Sequence, residues 1–242
     1  LRDPGAMIEG VKEDLAWLPS FDPEFKRYLK NVLLEHGWPK GPINAVELWN
    51  EPWEGVSISG WGADCLRYRE LYKVMAEAVL EARARRALDR IVSELQGAQE
   101  SAIAPNPLAP LGSSSLQFHV CTGYNGTAQV WSPWMLISRV ADPRDPQDGV
   151  DNNSNGLVDE GRVVLTRDVG GANQQFTLVS GVRRYLQGET ANGADDNRNG
   201  LIDEAGLSFV VDANNTLTIR LSLAAMDPRG RPLTQTVQTA VH

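Results

Sequence analysis

Asp148–Glu160 reads DGVDNNSNGLVDE, and Asn192–Glu204, 44 residues further on, reads NGADDNRNGLIDE. The two copies share the frame D-x-N-x-N-G-L-[VI]-D-E. Its side chains are oxygen donors, which suits a hard cation. Calcium takes six to eight oxygens at about 2.3–2.6 Å. In the first copy Asp151, Asn153 and Asn155 alternate so that their oxygens can face one concavity. Gly156 permits a sharp turn, Leu157 can offer its carbonyl, and Asp159 and Glu160 add charge. Asp195, Asn197, Asn199, Gly200, Leu201, Asp203 and Glu204 repeat these roles. The same residues also make metal-free turns, because Asn and Gly readily adopt the left-handed region. Retention of the acidic positions in both copies favours calcium.

A second tract with chemistry in it is Val46-Glu47-Leu48-Trp49-Asn50-Glu51-Pro52-Trp53. A carboxyl in an apolar, aromatic setting has its pKa raised, which suits a general acid. Glu51 is the candidate acid/base and Asn50 its neighbour. Trp49 and Trp53 offer faces on which sugar rings stack.

The elements that must position these residues follow from periodicity. Residues 22–36 read as a helix, with Asp22 as N-cap, Pro23 at the first helical position and Gly37 closing it. Ile43–Trp49 is an apolar run suited to a buried strand, ended by Asn50-Glu51-Pro52. Asp64–Gly97 carries an apolar stripe at helical spacing through Leu71, Met75, Ala78, Ala82, Leu88, Val92 and Leu95. Residues 102–114 hold three prolines and read as an irregular connection. Strand signals follow at Leu116–Cys121, Ala128–Trp131, Trp134–Val140, Arg162–Asp168, Gln175–Val179, Val182–Leu186, Leu207–Asp212, Thr216–Leu223 and Leu233–Val241. The whole is an α+β layout.

Composition bounds the function. Hydrophobic residues make up 42% and charged residues 22%, within the range of folded globular chains. There are 23 Lys+Arg against 31 Asp+Glu, so the net charge of −8 argues against nucleic acid as partner. No apolar run approaches the roughly 20 residues of a membrane helix, and no secretory signal is visible. Cys65 and Cys121 make neither a disulfide framework nor a zinc site and read as small buried hydrophobes. All five lysines lie at or before Lys73, and five of seven tryptophans lie at or before Trp61. This break divides the chain into residues 1–84 and 85–242.

Both parts resemble known families. The Trp-Asn-Glu-Pro tract, with the helices before and after it, resembles the fourth strand of retaining glycoside hydrolases of the (β/α)8 clan that includes families 5 and 39. The resemblance covers about residues 1–83. It implies a βα fragment of a barrel, Glu51 as acid/base, Asn50 as partner of the sugar 2-hydroxyl, and carbohydrate as ligand. A retaining mechanism needs a second carboxylate about 5–5.5 Å away. In that clan it comes from the seventh strand, which a segment of this length does not reach, so inactivity alone is expected.

Ala87–Leu95, the proline-containing connection and a sheet ending in Asp227-Pro228-Arg229-Gly230-Arg231-Pro232-Leu233 look like the periplasmic part of a minor type II secretion pseudopilin, a prepilin-type protein. That resemblance covers residues 85–242. It implies a helix followed by an antiparallel sheet with calcium-bound loops, other secretion proteins as partners, and a periplasmic or extracellular location. The family's apolar N-terminal helix is replaced here by the glycosidase-like sequence. In the repeat, Arg162 and Gly206 stand where an EF-hand loop has its bidentate Glu, so a shorter calcium loop is expected. Three functions follow: a calcium-stabilised assembly module, a carbohydrate-active enzyme, or two joined pieces with no joint function.

Overall fold

The computed structural model describes residues 19–48, 65–104, 113–212, 214–227 and 229–241. The chain is α+β, with few helices and a large antiparallel sheet. It divides into two compact units. One comprises Leu1–Ala82 with Asp227–Leu233, and the other Arg83–Met226 with Thr234–His242.

In the first unit a 3-10 turn (Pro19–Phe21) leads into helix α1 (Asp22–His36). The N-cap is Phe21, with no side-chain capping bond. Asp22 is therefore the first helical residue rather than the cap. Its carboxylate instead accepts from Arg67 on α2 (Cys65–Leu95), with Nη1 to Oδ2 at 2.9 Å. Gly37 does close α1, giving its N–H to the Leu33 carbonyl at 2.9 Å, but in extended rather than left-handed conformation. Lys26 pairs with Glu77 at 2.9 Å and Lys30 with Glu81 at 3.3 Å. The pairs Asp22–Arg67, Lys26–Glu77 and Lys30–Glu81 advance together, so α1 and this part of α2 run parallel. These partly buried pairs set the register of α1 along α2.

The expected strand at Ile43–Trp49 does not form over its described part. Ile43 makes one isolated bridge to Gly37, and Asn44, Ala45 and Glu47 are exposed. An apolar run becomes a strand only when a neighbour pairs with its backbone. Among the described residues none does beyond that bridge.

In the second unit, α2 buries Ala84, Ala87, Leu88, Ile91 and Leu95. Ile91 is fully covered and Val92 only partly, a one-position correction to the expected stripe. The Arg83 guanidinium donates to the Ser180 carbonyl at 3.0 Å. Arg167 grips both oxygens of Glu94 at 2.9 Å.

The sheet contains β1 (Ala98–Ala104), β2 (Ser115–Asn125), β3 (Ala128–Trp131), β4 (Met135–Ala141), β5 (Gly161–Arg167), β6 (Gln174–Val182), β7 (Leu207–Val211), β8 (Leu217–Met226) and β9 (Pro232–Val241). Its main path runs β1-β2-β4-β5-β6-β8-β7, with β3 on β2 and β9 on β8. The irregular connection expected at 102–114 starts too early: residues 102–104 close strand β1, although AQESAIA has a single β-branched residue. It pairs with β2 all the same. Val182–Leu186 is no separate strand: β6 ends at Val182 and Tyr185 makes one bridge to Ala205. On β8 the alternating Leu217, Ile219, Leu221 and Leu223 are buried as expected. Cys121 is half-buried rather than buried. His119 stacks between Trp131 and Trp134, at centroid distances of 4.6 and 4.2 Å.

Pairing fixes where the repeat lies. Ala141 ends β4 opposite Gly161, and Gly161 stands opposite Val182 at the end of β6. Both repeated loops therefore leave the sheet at one end: the first joins β4 to β5, the second β6 to β7.

Candidate cation-binding loops

The two loops share one set of capping hydrogen bonds. In the first, Asp151 accepts the N–H of Asn155 at 3.2 Å and of Gly156 at 2.8 Å. In the second, Asp195 accepts those of Asn199 at 3.1 Å and Gly200 at 2.8 Å. The Asn153 and Asn197 side-chain oxygens each take the N–H two residues on. So do those of Asn155 and Asn199, onto Leu157 and Leu201. The Asn155 amide donates to Glu160 and the Asn199 amide to Glu204. Gly156 (φ 84°) and Gly200 (φ 92°) take the same left-handed conformation. A Cβ on Gly156 would also meet the Met226 methyl at 2.7 Å, so a larger residue there must displace that side chain as well as hold a left-handed backbone.

Asp159 and Asp203, expected as ligands, turn back on their own loops. The Asp159 carboxylate accepts the Gly149 N–H at 2.9 Å, and Asp203 accepts those of Asn192 and Gly193. They sit at φ 57° and 52°, so both pin the start of the loop to its end. Leu157 and Leu201 supply N–H donors to the asparagines, as above.

The structural repeat is longer than the sequence frame. Asp142 N to Glu160 O matches Leu186 N to Glu204 O, and Asp145 N to Asp142 O matches Glu189 N to Leu186 O. The shared unit is thus 142–160 and 186–204. It brings in two acidic residues that the sequence reading missed, Asp145 and Glu189, both almost fully covered. Extending the 44-residue offset three positions upstream would have paired them, acid with acid.

Backbone N–H groups satisfy both oxygens of Glu189 but only one of Asp145. Glu189 accepts the N–H of Asn197 and of Asp203, each at 3.0 Å. Asp145 Oδ1 accepts the Asn152 N–H at 2.8 Å. That N–H, and next the adjoining Glu160 carboxyl, hold Asp145 below the usual carboxylate range, with smaller help from the N–H groups of Glu160 and Asp159. Asp142 is lowered as well, first by the N–H of Arg144 and then by its guanidinium. Asp196 is lowered chiefly by the Thr190 hydroxyl and then by the Asn192 amide. Arg139 ties the loop bases together, donating to the carbonyls of Arg183 at 2.8 Å and Asp159 at 2.9 Å.

Among the described residues, no three His, Cys, Asp or Glu side chains gather as a metal-binding group. A cation here would draw on carboxylates together with amide, carbonyl or water oxygens, the mixed set that calcium accepts. Glu51, Asn50, Trp49 and Trp53 lie outside the described residues. No helix among the described residues is long and apolar enough to cross a membrane. No family model, curated protein or solved structure matches the chain.

Proposed function

We propose that residues 85–242 act as a calcium-stabilised assembly module of the minor-pseudopilin type, working through contact with other secretion proteins in the periplasm or outside the cell. The observation that carries this reading is the duplicated 19-residue loop, at one end of an antiparallel sheet that follows a long helix. Oxygen-lined loops with several neutral amides suit the weak calcium affinities of extracellular modules, about 10⁻⁴–10⁻³ M. Bound calcium would brace long connections that are otherwise held by hydrogen bonds within and beneath the loops. The test is binding to prepilin-type domains encoded beside this chain, by calorimetry in millimolar calcium and in chelator. Calcium-dependent pairing is expected; absence of pairing in both conditions rejects the assembly role.

A second reading rests on the Trp-Asn-Glu-Pro tract and on the parallel run of α1 and α2, as successive helices of (β/α)8 units run. In it, residues 1–84 are a barrel fragment that cleaves sugars, or an inactive remnant of one, with Glu51 as acid/base, Asn50 at the 2-hydroxyl, and Trp49 and Trp53 against the ring. It predicts aryl glycoside turnover that vanishes in Glu51→Gln. A panel of aryl glycosides giving no turnover above buffer leaves only the remnant.

A further inference from the structure

The two copies agree in backbone but differ in how their buried charge is balanced. In the second copy every buried carboxylate oxygen has a partner. Glu204 is 1% exposed; its Oε1 takes Arg220 Nη1 at 2.8 Å and the Ser208 hydroxyl at 3.2 Å, and its Oε2 takes the Asn199 amide. Glu189, one methylene longer than its counterpart Asp145, spends both oxygens on backbone N–H groups.

In the first copy Glu160 is 4% exposed and Asp145 is fully buried. Glu160 Oε1 takes the Asn153 amide at 2.8 Å and the Asn155 amide. Glu160 Oε2 and Asp145 Oδ2 have no partner of hydrogen-bond geometry among the described residues. The two carboxyls adjoin one another. The nearby arginines spend their hydrogen bonds elsewhere, and Arg139 and Arg144 meet Glu160 only through longer-range attraction. Arg139 donates to carbonyls, Arg144 pairs with Asp142 at 3.4 Å, and Arg184 approaches Asp159 at 3.8 Å. A buried carboxylate oxygen without a bonded counter-charge is strongly unfavourable, and two together more so.

We infer that the repeat has diverged into one divalent-cation site, held by Asp145 and Glu160 in the first loop, and one loop in which Arg220 replaces the cation. This rests on the calcium reading above and narrows it from two sites to one. Val164 stands where the second copy has Ser208, and Thr177, opposite Val164 on β6, stands where Arg220 faces Ser208 on β8 and reaches Glu204. A hard divalent ion such as calcium supplies the two positive charges that Asp145 and Glu160 need. Other ligands would come from loop oxygens and water.

The experiment is calorimetric titration of calcium into the chelator-stripped full chain. One site per chain is expected. Asp145→Asn and Glu160→Gln should each weaken it about 100-fold or more, because each removes one charge from the ligand set. Arg220→Gln should add a second binding event, an outcome that loss of folding could not mimic. Two sites in the parent, or an Asp145→Asn variant with unchanged affinity, would overturn the one-site assignment and leave the calcium reading standing. Failure of Arg220→Gln to gain a site would overturn the role given to Arg220. No binding by the parent would overturn both readings.

Discussion

Asp227 shows how much one carboxylate can do in a turn. It is 6% exposed and accepts the N–H groups of Arg229 at 2.8 Å and Arg231 at 2.9 Å, and the Arg231 guanidinium at 2.9 Å. The Arg231 N–H first, and then its guanidinium, hold this carboxyl below the usual range against the opposing effect of burial. A folded-state pKa below the unfolded value of about 3.9 means that the stabilisation is present above that pH. It fades as pH falls through 3.9 toward the folded value. Asp227→Asn should therefore lower the urea midpoint at pH 7 and leave it nearly unchanged at pH 2. Equal losses at both would contradict this account of the turn. The loop residues follow the same logic of local capping. Asp151 and Asp195 were legible because the D-x-N-x-N-G spacing is itself the capping pattern. Asp145 and Glu189 were not, because their partners lie 7 and 8 or more residues away.

At the scale of elements, burial separates what periodicity could and could not reveal. Helix α2 was legible over most of its length because its stripe repeats for about seven turns, from Leu71 to Leu95. Leu217–Leu223 was legible because one face of β8 is wholly covered. Strand β1 was not, since its seven residues alternate weakly and pairing with β2 decides them. The run from Ile43 failed in the opposite sense: apolar composition promised a strand that no neighbour completes within the described residues. Ile91 anchors the buried face of α2, so Ile91→Ala should cost about 2–5 kcal/mol. Asp89→Ala, on the exposed face, should stay within about 0.5 kcal/mol. Urea denaturation of both variants checks this, and similar losses would place the buried stripe elsewhere.

At the scale of the whole chain, acidity is concentrated. The net charge is −8, and eight of 31 acidic residues (Asp148, Asp151, Asp159, Glu160, Asp195, Asp196, Asp203 and Glu204) lie in the two repeated frames. Asp145 and Glu189 add to the same end of the sheet. Arginines meet part of this charge: Arg220 at Glu204 and, more distantly, Arg184 at Asp159. Asp145 Oδ2 and Glu160 Oε2 are left without a bonded partner among the described residues. A ligand that binds only the folded state stabilises by about 2.7 kcal/mol at 100 times its Kd. For a chain of this size that corresponds to about 5–10 °C in Tm. The most direct measurement is thermal unfolding of the full chain in chelator and in excess calcium. The account predicts a Tm about 5–10 °C higher in calcium, and the rise should be absent in Asp145→Asn. A parent chain whose Tm is the same in both conditions would contradict it.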